Sequence, residues 1–278
     1  MLGGLACLLA LAACGTEAAP TGSASQGSAP GTSASSPAST TPPSATASPA
    51  SPPTTASPRT APHPAPVVVL DPGHNGGNAS NPDQINAQVP AGRGRMKACN
   101  TTGTSTDGGY PEHAFTWDVA RRVREWLTAR GVRVVLTRQS DTGVGPCVDE
   151  RAGIGNRLDA AAVVSIHADG ASSPDARGFH MAYSAPPLNT AQGEPARRLA
   201  GALRDGMRSA GFPPSDYIGS DGLSPRDDLA GLNLSARPAA LVECGNMRNP
   251  DEAAAFTSPQ GRQRYAEAIA SSITAYLR

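Results

Sequence analysis

Four residues have the side-chain types and the spacing to bind a metal ion and to catalyse hydrolysis. His74, His167 and Glu243 come at or just after the ends of apolar runs that have the character of buried strands. Glu112 stands beside Pro111, where a helical pattern begins. Because ligands of open α/β sheets bind beyond the carboxyl ends of the strands, these side chains should converge on one edge.

Two histidines and one carboxylate suit Zn²⁺, and three protein ligands leave a fourth position for water. We therefore predict one Zn²⁺ per chain, and Glu243 as the general base that takes a proton from the attacking water. Spacing alone leaves other interpretations open, because a histidine after a strand is often structural and Glu112 could simply be a favourable charge at a helix start. Asp107 and His113 lie close enough in sequence to replace Glu112 as a ligand.

The elements that must position these residues alternate between strands and helices. The strand-like runs are 67–70, 132–136, 161–166, 178–183 and 239–242, and the helical patterns are 111–130, 151–160, 195–210 and 259–278. This alternation predicts a single three-layer α/β domain over residues 67–278, with a mostly parallel sheet flanked by helices. Residues 75–109 are rich in Gly, Asn and Thr and show no period, which predicts a functional or disordered loop.

The first 66 residues differ in composition from the rest. Residues 1–14 are apolar, too short to span a bilayer, and end in Leu-Ala-Ala-Cys, which resembles a lipoprotein-type signal segment with Cys14 as the lipidation site. An uncleaved apolar anchor or an ordinary signal peptide are the alternatives. Residues 15–66 are almost only Ser, Thr, Ala, Pro and Gly, so we predict a disordered linker.

Charge and cysteine content exclude some functions and suggest one disulfide. Lys and Arg (23) balance Asp and Glu (23), and aromatic residues make up 4%, so the sequence gives no electrostatic case for a nucleic-acid partner. The absence of a CxxC pair argues against a cysteine zinc site. Cys99 and Cys147 fall in loop-like sequence and could form a disulfide or remain free, whereas Cys244 reads as a buried thiol facing away from Glu243.

Motifs in the order of a known family strengthen the metal-site interpretation. The sequence resembles the zinc-dependent N-acetylmuramoyl-L-alanine amidases, the type 3 amidase family, over residues 66–278. The matching blocks are VVLDPGH at 68–74, LTR at 136–138 with Arg151 and Asn156, VSIHA at 164–168, and PAALVE at 238–243 followed by GNMRNPD at 245–251.

The resemblance implies a peptidoglycan hydrolase with zinc ligands His74, Glu112 and His167 and with Glu243 as the catalytic carboxylate. Its reaction would be cleavage of the amide between the lactyl group of N-acetylmuramic acid and the L-alanine of the stem peptide. With the N-terminal features, it implies an exported protein, lipid-anchored through Cys14 at the outer face of the cytoplasmic membrane and facing the cell wall. We expect the chain to act as a monomer.

Some positions depart from the family pattern. Asn75 replaces the usual glycine after the motif histidine, and the segment 75–109 is longer than usual, so that it could form a hairpin beside the cleft. Asn75 and His180 are candidates for the substrate groove, and Arg151 and Asn156 are expected to anchor a helix to the sheet. The alternatives are a zinc peptidase acting on the stem peptide, a self-inhibited enzyme, and a non-catalytic wall-binding lipoprotein of the same fold.

Overall fold

The computed structural model describes residues 65–278 and shows an α/β domain. Its strands are β1 (Val67–Pro72), β2 (Gln88–Gly92), β3 (Arg95–Ala98), β4 (Arg133–Leu136), β5 (Ala162–Asp169), β6 (His180–Ser184), β7 (Leu223–Arg226) and β8 (Ala239–Asn246). Its α-helices are α1 (Pro82–Asn86), α2 (Glu112–Thr128), α3 (Val148–Arg157), α4 (Glu194–Ser209), α5 (Ala230–Asn233), α6 (Pro250–Thr257) and α7 (Pro259–Tyr276).

The predictions for residues 1–14 and 15–66, including the lipidation of Cys14, concern a part of the chain that lies almost wholly outside the described residues. Within residues 65–278, none of the helices combines the length and the apolar character that crossing a bilayer requires.

The central sheet has six strands in the order β4-β1-β5-β8-β6-β7. All neighbouring pairs are parallel except β6 and β8, which run antiparallel. Strands covered on both faces need apolar side chains on both, which explains the unbroken run of Val68, Val69 and Leu70, all fully buried in β1. The predicted three-layer domain with a mostly parallel sheet is confirmed.

One face of the sheet carries the larger core, under α2, α4 and α7. The apolar stripe of α2 is fully buried at Phe115, Val119, Val123 and Leu127. Phe115 also meets the ring of Tyr265 on α7 edge-on, with 5.6 Å between the ring centroids. The helical period of the α2 sequence therefore places its apolar residues against the sheet.

The opposite face is covered by α3, α5 and an antiparallel hairpin of β2 and β3. Arg93 at the hairpin turn donates to Oδ1 of Asn233 at 3.3 Å and to Oγ of Ser184 at 3.2 Å. Asn233 in turn donates to the carbonyl of Ala91 at 3.0 Å. Residues 75–109 are therefore not one long loop, as their lack of period suggested, but include the hairpin that the sequence also allowed.

Several element boundaries differ from the sequence predictions. The strand predicted over 178–183 begins only at His180, and the helix predicted from Arg151 begins at Val148. Strand β7 was not predicted, because it is short, contains Pro225 and lies at the sheet edge, where a missing backbone N–H is tolerated. Helix α6 was also missed, because it spans only 8 residues.

Cys99 and Cys147 form the predicted disulfide, which joins the end of β3 to the start of α3. Cys244 is free and buried in the larger core, on the face of β8 opposite to Glu243, as predicted. The cross-link restricts the unfolded chain over a sequence separation of 48 residues, so that it stabilises the folded state mainly by lowering the entropy of the unfolded state.

Replacing both Cys99 and Cys147 with alanine should therefore lower the free energy of unfolding by about 4 kcal/mol on the chain-entropy model. Urea unfolding, followed by circular dichroism, measures this loss. Cys244→Ala is the matched control: its unfolding midpoint should still fall when dithiothreitol is added, whereas that of the double variant should not respond. An equal response of both proteins to the reductant would contradict the prediction.

Candidate active site

His74, just after β1, His167, near the carboxyl end of β5, and Glu112, the first residue of α2, lie together. Glu112 Oε2 is 3.1 Å from His74 Nε2, and Glu112 Oε1 is 3.0 Å from His167 Nδ1. One possible ligand atom from each residue lies within 4.8 Å of the other two. Two imidazoles and a carboxylate at these separations form a donor set that fits Zn²⁺.

The sequence left two other residues open as the third member of this group, and neither joins it. Asp107 is exposed and pairs with Arg248 at 2.8 Å. His113, one position after Glu112 on α2, pairs with Asp141 at 2.8 Å. The first residue of α2 is the one whose side chain reaches the two histidines.

Backbone geometry brings the two histidines close together, with 4.9 Å between their ring centroids. His74 has a φ of +59°, a left-handed conformation that is uncommon for a residue other than glycine. The turn before it passes so close to β5 that a Cβ on Gly73 would lie 2.3 Å from Cε1 of His167. Glycine at position 73 is therefore required for the ring of His167 to occupy its place.

Thr101 fixes the ring of His74. Its carbonyl oxygen is 3.0 Å from Nδ1 of His74, so that Nδ1 can donate to it while Nε2 remains the ligand atom. Thr101 follows the disulfide-bonded Cys99 by two residues, which ties this contact to the cross-link. This role could not be predicted from the sequence, because the two residues lie 27 positions apart.

Arg151 secures the turn from the side of α3. Its Nη1 donates to Asp71 Oδ1 and to the carbonyl of Pro72, both at 2.8 Å, and its Nη2 donates to the carbonyl of His74 at 3.0 Å. Arg151 therefore anchors its helix to the sheet, as predicted. Asn156 instead donates to the carbonyl of Leu234, so that it holds α3 to the loop before β8 rather than to the sheet.

Asp71 is the partly buried counter-charge of this turn. Burial alone would raise its pKa, but Arg151 and the hydroxyls of Thr137 and Ser165 lower the pKa of this carboxyl to about 2. Arg138 also stabilises this turn, because its Nε donates to the carbonyl of Pro72 at 3.0 Å. The turn that carries His74 is thus held by two buried arginines and one ionised carboxylate.

Glu112 is only 4% exposed, yet it is surrounded by donors. Burial alone would raise its pKa, but His74 and His167 outweigh burial and hold the pKa of this carboxyl below its usual range. The backbone N–H of Thr104 donates to Oε2 at 3.0 Å, and that of Ala168 donates to Oε1 at 3.1 Å. Glu112 is therefore a fixed carboxylate rather than a mobile acid.

Glu243 lies on β8, directly opposite His167 on β5. Its Oε2 is buried and has no hydrogen-bond partner among residues 65–278. Burial, together with the nearby carboxylates of Glu112 and Asp169, raises the pKa of Glu243 well above its usual value. A carboxyl in these surroundings holds a proton more readily than a solvated carboxyl does, which suits a group that accepts and returns a proton.

The two groove candidates from the sequence have different surroundings. Asn75 is buried, and its Oδ1 accepts from the backbone N–H of Gly76 at 2.9 Å, so that it closes a local turn. His180 lies on β6, directly opposite Glu243.

A cavity of about 170 Å³ lies beside His74 and His167, and its apolar walls come from α3, α5 and β8.

Comparison with known proteins shows the family of the chain. The family model for N-acetylmuramoyl-L-alanine amidase matches residues 68–275. The N-acetylmuramoyl-L-alanine amidase Rv3717 of Mycobacterium tuberculosis is 51% identical over 211 residues, which is 76% of this chain and 86% of that protein.

Solved structures show the same similarity. The amidase Ami1 of Mycobacterium smegmatis is 53% identical, with a TM-score of 0.74 over 78% of this chain and 99% of its own. Ami1 of Mycobacterium abscessus is 54% identical, with a TM-score of 0.74 over 77% of this chain and 99% of its own. The chain therefore belongs to the N-acetylmuramoyl-L-alanine amidase family.

Proposed function

We propose that this protein is a zinc-dependent peptidoglycan hydrolase that cleaves the amide between the lactyl group of N-acetylmuramic acid and the L-alanine of the stem peptide. The observation that carries the proposal is the convergence of His74, Glu112 and His167 next to Glu243, in a member of an amidase family. The metal-ligand set, the catalytic carboxylate and the substrate class all rest on this combination.

In the proposed mechanism, His74, Glu112 and His167 hold one Zn²⁺. The ion would act as a Lewis acid on the scissile carbonyl and lower the pKa of a water molecule. Glu243 takes the proton from the attacking water and later delivers it to the amine of L-alanine as that amine departs. Its raised pKa supports both steps, because the carboxyl can hold the proton between them.

Neighbouring groups hold the three proposed ligands in position. The carbonyl of Thr101 orients His74, and the two backbone donors on Glu112 keep that carboxylate in place. Holding the ligands before the substrate binds avoids the cost of ordering them during the reaction.

We further propose that the protein is exported, anchored by a lipid on Cys14 and carried on the linker 15–66, so that it meets peptidoglycan as a monomer at the outer face of the cytoplasmic membrane. Support comes from the apolar segment that ends in Leu-Ala-Ala-Cys and from the cell-wall amidases among its relatives. Metabolic labelling with a fatty-acid analogue tests the anchor, and loss of the label in Cys14→Ala is the expected result.

Two other functions use the same site. A zinc peptidase would cut within the stem peptide, because the metal chemistry is identical and the substrate groove sets the bond. A self-inhibited amidase would use the β2–β3 hairpin, which is tied to α5 and β6 through Arg93 and Asn233. The non-catalytic interpretation has less support, because His74, Glu112 and His167 lie together and Glu243 is present opposite His167.

Mass spectrometry of the products of purified-wall digestion separates these functions. The proposal expects stem peptides with a free L-alanine amine beside intact glycan, together with one zinc per chain by elemental analysis. Fragments cut within the stem would favour the peptidase. Activity that rises sharply when residues 88–98 are replaced by a short Gly-Ser linker would favour self-inhibition.

A further inference from the structure

His167, Glu243 and His180 form a row across three neighbouring strands. Glu243 on β8 is the register partner of His167 on β5 and also of His180 on β6. Directly opposed residues point to the same face of a sheet, with Cβ atoms about 5 Å apart. Glu243 therefore has a proposed zinc ligand on one side and His180 on the other.

Glu243 and His180 each bury one polar atom that lacks a partner. Oε2 of Glu243 and Nδ1 of His180 have no hydrogen bond to any atom in the part of the chain that the structure describes. Unpaired buried polar atoms are costly, and a carboxylate oxygen and an imidazole N–H are complementary. Because the two residues are directly opposed, a side-chain rotation that turns Nδ1 toward Oε2 would pair them.

The surroundings of His180 suit it to be a fixed neutral donor. The ring is 2% exposed and meets the ring of Tyr217 edge-on, at 6.3 Å between centroids. The hydroxyl of Tyr217 donates to Asp169 at 3.2 Å, so that the tyrosine is itself held in place. Burial lowers the pKa of His180 to about 4, despite the opposing effect of Asp169, so the imidazole is neutral at pH 7 and carries one N–H.

Other roles for His180 fit less well. It is not part of the group formed by His74, Glu112 and His167, so that no fourth protein ligand is indicated among residues 65–278. A side chain that is only 2% exposed offers little surface to a substrate. Its one close neighbour in the catalytic machinery is Glu243.

We propose that His180 is a positioning residue for catalysis, whose Nδ1–H donates to Oε2 of Glu243 and leaves Oε1 of that carboxyl free to exchange the proton with the substrate. The inference rests on the proposed role of Glu243 and deepens it. Without the donor, the carboxyl can rotate away from the reacting groups while the metal centre and the substrate groove remain intact. The loss should therefore appear in kcat rather than in KM.

Two substitutions at position 180 test this. His180→Leu removes the donor and keeps an apolar side chain of similar reach, so kcat should fall about 10- to 100-fold, as expected for the loss of a hydrogen bond to a charged group. KM should change little, and zinc content should remain one per chain. His180→Asn places an amide N–H near the position of Nδ1 and should recover most of kcat.

The same substitution in a Glu243→Ala background shows whether His180 acts through Glu243. There, His180→Leu should cause no further loss in a single-turnover assay at high enzyme concentration. If Glu243→Ala itself keeps wild-type activity, the proposed function fails. If Glu243→Ala is inactive but His180→Leu matches wild type, only the present inference fails.

Thermal melts followed by circular dichroism check that each variant is folded. Should His180→Leu not fold, His180→Phe preserves a planar ring without a donor and carries the same expectation. Equal impairment of His180→Asn and the apolar variants, or losses that multiply in the double variant, would overturn the positioning role.

Discussion

Replacing Glu243 with glutamine should lower kcat for purified-wall digestion by about 10²- to 10⁴-fold, the range expected for the loss of a general acid–base group. The amide keeps the size of the side chain but cannot take a proton from water. Because His74, Glu112 and His167 remain in contact with one another without Glu243, the variant should retain one zinc per chain.

Elemental analysis and a turbidity assay on purified walls measure the two quantities on the same preparation. Glu267→Gln is the matched control, because Glu267 is an exposed carboxylate on α7, remote from the site in sequence and packing, and its loss should leave kcat unchanged. Comparable activity in Glu243→Gln and wild type would remove Glu243 from the mechanism. Loss of zinc in the variant would instead assign Glu243 a role in metal binding.

The location of this site was predictable because strand ends can be recognised in the sequence. Runs such as Val68-Val69-Leu70 identify strands buried on both faces, and the parallel arrangement brings their carboxyl ends to one edge. His74 and His167 follow from that placement. Glu112 was predicted less directly: Pro111 marks the start of α2, but only the structure shows that Asp107 and His113 pair elsewhere.

The residues that orient the site were not predictable in the same way. Thr101 meets His74 only because β3 and the disulfide bring a distant loop back over the sheet. The position of His180 opposite Glu243 depends on the antiparallel register of β6 and β8, which are separated by more than 50 residues of chain. Neither contact can be predicted from the hydrophobic period of a single element. That period indicates which face of a strand or helix is buried, but not which other element pairs with it.

The two faces of the sheet have different roles: one contains the larger apolar core, and the other carries the candidate active site. The face under α2, α4 and α7 is apolar and well packed. The other face ends in the row of His167, Glu243 and His180, and its burial under smaller elements leaves a cavity beside the site. Buried polar groups at the site require specific partners, which is why Arg138 and Arg151 donate to the carbonyls of the turn at His74 and two backbone N–H groups donate to Glu112.

The turn before His74 leaves no space for a side chain at residue 73. A Cβ on residue 73 would lie 2.3 Å from Cε1 and 2.5 Å from Nε2 of His167, so alanine cannot be accommodated unless the imidazole moves. Arg138 and Arg151 hold the neighbouring carbonyls, so the backbone cannot easily retreat instead. Gly73→Ala should therefore displace a proposed zinc ligand without altering its chemistry.

We expect Gly73→Ala to weaken zinc binding by about 100-fold or more, at the upper end of what is lost when the support of a metal ligand is removed. Competition with a chelator measures the affinity, and thermal melts with and without added zinc provide a second readout. The matched control is Gly201→Ala on α4, where an added Cβ meets no atom within 4 Å. It should stabilise the fold by up to about 1 kcal/mol through helix propensity and keep wild-type zinc affinity.

Wild-type zinc affinity in Gly73→Ala would mean that His167 can bind from another rotamer and that the close approach of the turn is not needed. Weakened binding in both glycine variants would indicate a general loss of packing. Weakened binding in Gly73→Ala alone, with the melting temperature raised by zinc less than in wild type, would show that the site depends on the approach of β1's turn to β5. In that case residue 73 must lack a side chain because the imidazole of His167 occupies the space.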